Sequence, residues 1–244
     1  MLGLGNSLTA GGAVSEFLPH IGISDCKLAL YPDKGITLSG DKVTEWADQA
    51  GAYDAAVVAT AGSGAQPVYN TTHLTFDGVN DILELHKGGS NFTVDLDTSD
   101  GGWTIVMIVT SDDWDGGNQV IVGVAGNSSF FIRHASATDR ITVKVDGENN
   151  HIDTDAALTD GQYYCLVVTC AASGDPLTLY VDGTAQADTE SLANNGRDME
   201  IESLGHRGGT DFIDGGMKSI LAWDRILTSD ELDLIDSWAG QYKG

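Results

Sequence analysis

The chain has 244 residues, 41% of them apolar, with Gly 31 and Pro 4. That is enough apolar material for a core without disulfide staples and too much for a disordered chain. Asp plus Glu number 36 against 12 Lys plus Arg, a formal net charge of −24, and the basic residues are scattered, which excludes nucleic acid as a partner because such a surface repels phosphate backbones. The charge has two readings: cation binding or solubility at high salt, and a solvated, self-repelling surface that keeps the protein monodisperse.

No Pro- or Ser-rich linker divides the chain, so one domain is expected. It opens with "MLGLGNSLTAGGAVSEFLPHIGIS". This stretch lacks a basic n-region and its apolar run is broken by glycines, so neither a secretory signal nor a membrane span is expected. Residues 1–26 read instead as an arm held against the protein's own body or a neighbouring subunit. Leu2, Leu4, Leu8, Val14, Phe17, Leu18 and Ile21 are its candidate anchors, because an extended arm can add to a sheet edge or lie in a groove.

Residues 27–244 read as the body. "KLALY" (27–31), "KVTEWAD" (42–48), "HLTFDG" (73–78) and "DILELH" (81–86) have the length and composition of strands. In "RITVKVDG", Ile141, Val143 and Val145 alternate with Thr142, Lys144 and Asp146, and "LTLYVDG" repeats the pattern with Leu177, Leu179 and Val181. "WTIVMIVT" (103–110), "QVIVGVA" (119–125) and "QYYCLVVTC" (162–170) are apolar almost throughout. They predict central strands covered on both faces. Turn signals such as "FDGVND", "DDWDGGN" and "VDGT" separate the runs, the pattern of a β-sandwich or barrel.

Only the end reads as helix. In "LTSDELDLIDSWAGQYKG", Thr228 and Glu231 have capping-box spacing, Leu232, Ile235 and Trp238 form one stripe, and Gly240 is placed to stop it. Cys26, Cys165 and Cys170 lack metal-ligand spacing. On one straight strand Cys165 and Cys170 would face opposite sides and could not bridge. Buried reduced thiols are expected, consistent with synthesis in a reducing cytoplasm.

Four stretches together resemble a known family: "VTEWADQAG" (43–51), "LTFDGVNDILEL" (74–85), "LTLYVDGTAQ" (177–186) and "IESLGHRGGTDFIDGGMKSILAWDRILTSDEL" (201–232). Their order and spacing are similar to the W-x-D, F-D-G-x-x-D-x-L, L-x-x-Y-x-D-G, L-G, D-G and L-x-x-x-E elements of the laminin-G-like, concanavalin A-like lectin and glucanase superfamily, over roughly residues 27–243. The resemblance implies an all-β, two-sheet antiparallel jelly-roll sandwich, here with an N-terminal arm and a short C-terminal helix. That superfamily hosts hydrolases, lectins and structural modules, so function must be argued from the site.

A retaining glycosidase needs two carboxylates about 5 Å apart. The E-x-D-x-E pattern of the related β-glucanases does not occur, and the nearest acid pairs are Asp95 with Asp97, Glu200 with Glu202, and Asp153 with Asp155. Solvated strand faces explain these, and no enzyme is expected. The dispersed histidines do not suggest zinc. Calcium is the candidate ion, at Asp77, Asn80 and Asp81 or in the acidic turn from Asp112 to Asn118, although Asp and Asn also serve as ordinary turn formers; no other cofactor is called for.

Sugar binding requires an exposed aromatic ring beside amides and carboxylates. Trp114, flanked by Asp113, Asp115 and Asn118, is the first candidate, with packing on an adjacent loop or subunit as its other reading; Tyr53, Tyr69 and Phe212 are weaker candidates. Trp46, Trp103, Trp223 and Trp238 read as core. The leader, the laminin-G-like body and the acidity together resemble small virion proteins of tailed phages. That resemblance implies a non-enzymatic capsid decoration, collar or tail-fibre component, made in the host cytoplasm and docking on other virion proteins or copies of itself. A lectin-like adhesion module for a cell-surface glycan is the alternative.

Overall fold

The computed structural model describes residues 17–51, 56–58, 64–97, 101–114, 116–124, 127–136, 138, 140–145, 152–171, 177–190 and 198–243, with backbone alone at 56–58, 127–129, 189 and 190. Two antiparallel sheets pack face to face. Across the first, the strands run Thr184–Glu190, Leu177–Val181, Tyr164–Ala171, Gly102–Ser111 and Asp214–Trp223. The last of these is shared by two further strands, Leu74–Asp77 along its first half and Cys26–Leu30 along its second.

The second sheet runs Ile152–Asp153, Arg140–Lys144, Asn127–Ala135, Gln119–Val124, Ser203–Leu204, Leu83–Lys87, Ala56–Val58, Lys42–Ala47 and Ile36–Ser39. Val68–Tyr69 pairs with both Leu74–Asp77 and Lys42, joining the sheets along one edge. The expected sandwich is therefore the observed fold. The strand Asn127–Ala135 was not anticipated, because its opening Asn-Ser-Ser gives no period-2 signal.

The continuous apolar runs have the expected cause. Ile105, Met107 and Val109, with Leu166, Val168 and Cys170, face the second sheet and meet Ile121, Ile132, Ile141, Val143, Leu83 and Leu85. Their neighbours Val106, Ile108, Cys165 and Val167 point the other way, with Leu221 and Trp223, into a second cluster closed by Ile235 and Trp238. The first sheet is thus buried on both faces, and each buried Val, Leu or Ile contributes about 1.5–3 kcal/mol. Cys165 and Cys170 lie on opposite faces of their strand, and all three cysteines are buried and unbridged.

The helix Ser229–Ala239 carries the predicted capping box: Glu231 N donates to Thr228 Oγ1 and Thr228 N donates to the Glu231 carboxylate. Arg225 holds the same carboxylate with two hydrogen bonds of 2.8 and 2.7 Å, and also donates to the Ser24 carbonyl. That bidentate bond, with the donors at Thr228, keeps Glu231 at a pKa of about 2. At the hairpin "YVDG", Asp182 and Gly183 both have positive φ (50° and 76°), the geometry of a tight two-residue turn.

The anchors Leu2, Leu4, Leu8 and Val14 lie outside the described residues. Phe17 and Leu18 do not reach away from the body: they pack against its second cluster. A short helical turn, Pro19–Gly22, follows, with His20 Nδ1 2.7 Å from the Tyr31 hydroxyl and Ile21 exposed (73%).

Candidate functional site

Three segments distant in sequence meet at one rim of the sandwich. The first is the turn after Leu74–Asp77, where Asp77 Oδ1 accepts the backbone N–H groups of Val79, Asn80 and Asp81 at 2.9, 3.0 and 3.3 Å. Asp81 Oδ2 returns a bond to Asp77 N at 2.9 Å. Gly78 is required here twice over. Its φ is +69°, and a Cβ would stand 2.8 Å from the Cβ of Asp214.

The second segment is the turn after Gly102–Ser111, and the third leads from Asp211 into Asp214–Trp223. Gln119, almost fully buried, binds both. Its Oε1 accepts from Ser111 Oγ (2.9 Å) and Asp214 N (3.0 Å), and its Nε2 donates to the Asp113 carbonyl (2.5 Å). Backbone bonds from Asp112 N to the Asp214 carbonyl (2.9 Å) and from Gly78 N to the Ile213 carbonyl (3.0 Å) complete the frame.

The frame encloses a cavity of about 430 Å³ lined by Asp77, Asp113, Asn118, Asp211, Phe212 and Asp214, among others. Among the described residues its lining holds no Lys, Arg or His. Asp211 is neutralised from behind by Arg207 (2.8 Å) and Arg133 (3.8 Å). Burial raises the Asp77 pKa, but its three backbone donors outweigh that and hold it below the usual carboxylate range. Asp214 is pushed up, first by burial and then by the charges of Asp112 and Asp77. Asp81, beneath the turn and 2% exposed, is raised to about 6 by burial and by Asp77. Such a wall accepts hydrogen bonds from hydroxyl or amine donors and repels anions.

One expectation is corrected. Trp114 is 1% exposed: its backbone N–H is held by Asp160 Oδ1 at 2.7 Å and its ring packs 5.7 Å from that of His134. It is a floor beneath the loop, with no ring face free for a sugar, because it turns into the inter-sheet core while Asp113 before it stays exposed.

Asp77, Asn80 and Asp81, read as a calcium candidate or as turn formers, form a turn. Asp77 Oδ1 is taken up by backbone donors, and the Asn80 amide, assigned from its partners, directs its nitrogen to the Gly64 carbonyl (2.8 Å) and Asp77 Oδ2 (3.3 Å). Among the described residues, no group of three or more His, Cys, Asp or Glu side chains is placed to hold a metal ion.

Of the other candidates, Asp113 and Asn118 do meet in the cavity, with the Asn118 carbonyl oxygen accepting from Ser136 N (3.2 Å) and Oγ (3.3 Å), while Asp115 lies outside the described residues. Asp211, Asp214 and Gln119 were missed and Phe212 was undervalued. The glycine-flanked acids of "GGTDFIDGG" were the available signal. The acid pairs are absorbed into structure: Glu200 sits opposite Asp95 in a two-stranded ribbon, Glu202 accepts from Thr93, Asp153 from Thr142, and Asp155 from Ala187 N.

Two sheets closed over a common core, with polar side chains gathered in loops at one rim, define a lectin-type β-sandwich domain. Residues 86–233, more than half of the chain, match the laminin-G-type family model of the concanavalin A-like lectin/glucanases superfamily, and the chain belongs to that superfamily. No curated protein matches it in sequence. Among solved structures it is similar to Trypanosoma rangeli sialidase in complex with sialic acid, with a TM-score of 0.59 and 15% identity over 90% of this chain and 34% of that one. It is similar also to the binding domain of Botulinum neurotoxin DC in complex with rat synaptotagmin II, with a TM-score of 0.59 and 14% identity over 87% of this chain and 51% of that one. The chain spans about a third of the sialidase and half of the neurotoxin domain, and the likeness is one of fold.

Proposed function

We propose that the protein is a non-enzymatic, lectin-like module that binds an uncharged glycan in the acidic rim cavity. One observation carries the reading: four carboxylates, two amide side chains and the Phe212 ring converge on a cavity of about 430 Å³ that a buried glutamine holds in shape. Sugar hydroxyls donate to Asp113 and Asp214, and the half-buried Phe212, rather than Trp114, offers apolar surface to a pyranose ring. The absence of catalysis is part of the proposal, supported by the structural use of the acid pairs.

The test is retention on an array of neutral glycans, compared with Asp113→Asn and Asp214→Asn. Each variant removes a charge-assisted acceptor, so affinity drops roughly tenfold to a hundredfold. Retention that neither variant changes, or none on any neutral glycan, would sink the reading.

A second reading concerns where the module works. We infer a component of a tailed-phage virion, as capsid decoration, collar or tail fibre, assembled in the host cytoplasm and held by its apolar leader to other virion proteins or copies of itself. Its support is the exposed apolar Ile21, close in sequence to Phe17 and Leu18, which pack on the second apolar cluster. Deleting residues 2–16 should leave folding intact and abolish cofractionation with assembled particles. Unchanged incorporation removes this reading and leaves the glycan module standing.

A further inference from the structure

The strand Asp214–Trp223 changes partner in mid-course. It pairs with Leu74–Asp77 as far as Met217, opposite Leu74, and with Cys26–Leu30 from Ile220, opposite Leu30. On its other side Gly102–Ser111 continues unbroken, but the register slips: Ile108 opposes Ser219 while Val109 opposes Met217. Lys218 is the extra residue of this β-bulge, a device that re-aims a side chain.

The bulge falls in the gap between the two partner strands, and the gap is a cavity of about 440 Å³. Its walls are Pro32 and Asp33, which follow one partner, Thr71 and Thr72, which precede the other, and Gln241 and Tyr242 from the residues after the last helix, together with Lys218. No lining residue is shared with the rim cavity.

Lys218 is 6% exposed. Its ammonium lies 3.8 Å from the centroid of the Tyr163 ring and donates to the Tyr242 carbonyl. Burial lowers its proton affinity, with no neighbouring carboxylate offsetting the effect. In a chain with 36 acidic residues and 12 basic ones, a buried ammonium without a carboxylate partner is anomalous. Asp33, the acid in the lining, lies 3.3 Å from Lys34 Nζ instead. An ammonium has three donors. The carbonyl takes one and the ring face attracts the charge, which leaves donor capacity for a ligand in the cavity. Thr71 Oγ1 donates to the Asn70 carbonyl, so its oxygen remains as an acceptor for a hydroxyl group, while Thr72 Oγ1 is shared between that carbonyl and His73 Nδ1 at 3.1 Å.

We propose that this cavity binds a small carboxylate-bearing polyol, such as a uronic acid, with the Lys218 ammonium as counter-charge to the carboxylate and Thr71 Oγ1 as an acceptor for a hydroxyl. A single cation beside Asp33 matches a monoanion; a phosphate dianion would leave excess negative charge. The site stands apart from the rim cavity and takes ligands of the opposite preference.

The test uses the full chain labelled with [13C,15N]lysine, following the Lys218 side-chain signal during titration with sodium glucuronate, glucose, inorganic phosphate and sodium chloride. Glucuronate should displace the signal saturably, with a Kd on the order of 1 mM or tighter. Glucose, and chloride at matched ionic strength, should leave it in place. Lys218→Met should weaken glucuronate binding at least tenfold; if that variant does not fold, the titration of the unaltered protein decides alone. A signal that glucuronate leaves unmoved, equal displacement by chloride or phosphate, or undiminished binding by a folded Lys218→Met overturns the proposal.

Discussion

Asp214 and Lys218 lie on one strand and serve opposite electrostatic environments. Asp214 opens the rim cavity among like charges, where burial, Asp112 and Asp77 all push its pKa up. Lys218 lies inside the sheet layer with an aromatic ring and a carbonyl for company. The difference lies in how the backbone delivers each group. Turns bring carboxylates together at the end of the strands, where water still reaches them. A bulge drives an ammonium into a gap between strands, where little water does. On this acidic chain, the turns follow the general surface charge and the bulge runs against it.

The contrast is most easily broken from the rim side, because the rim rests on Trp114. Trp114→Ala removes a fully buried indole and should lower unfolding free energy by about 3–5 kcal/mol. Urea denaturation measures it; a loss below about 1 kcal/mol would mean that the loop is not seated on the core. Next comes Gly78→Ala, which forces a left-handed residue and a contact with Asp214 at once. Its expected cost is roughly 1–3 kcal/mol, with loss of glycan retention. Full retention with unchanged stability would show that the turn relaxes freely.

Lys218→Met sharpens the other side. Replacing a buried, carboxylate-free ammonium by an apolar chain should raise stability by about 1 kcal/mol, read as a higher urea midpoint. A lower midpoint would identify the ammonium as a structural pin for the Tyr242 carbonyl.

The last prediction is a pH dependence beneath the rim. The folded-state pKa of Asp81 is about 6, above its ordinary 3.8. The folded protein therefore holds that proton more tightly than the unfolded chain, and this contribution to stability is complete below about 3.8 and is lost as pH rises through 6. A carboxyl 13C titration should show a midpoint near 6, and the urea midpoint should fall between pH 4 and 6.5 more in the unaltered protein than in Asp81→Asn. A midpoint at or below 4 would place Asp81 in contact with water.

Local features were legible in the sequence and assembled ones were not. The capping box at Thr228 and the Asp182–Gly183 hairpin depend on neighbouring residues alone, and both formed as read. The apolar runs around Ile105 and Val167 announced a doubly covered sheet because both of their faces carry apolar side chains. Asp77 and Asp113 were each read as turn residues, but their meeting depends on strand pairing through Asp214, which no short window encodes. Trp114 was misjudged because polar neighbours in sequence say nothing about where a ring points once the loop closes on His134. Lys218 left no trace, since a bulge changes register without changing composition. In "GGMKSILAW" it reads as one polar interruption of a buried strand.

Arg225 bonds the carboxylate at the start of the last helix and the Ser24 carbonyl just before the first strand. Seen as a mechanical joint, that guanidinium fastens the entry of the chain to its closing element. Phe17 and Leu18, which precede Ser24, pack against the second apolar cluster. A pull on Phe17 would therefore peel a few apolar contacts from that cluster before the load reached the joint at Arg225.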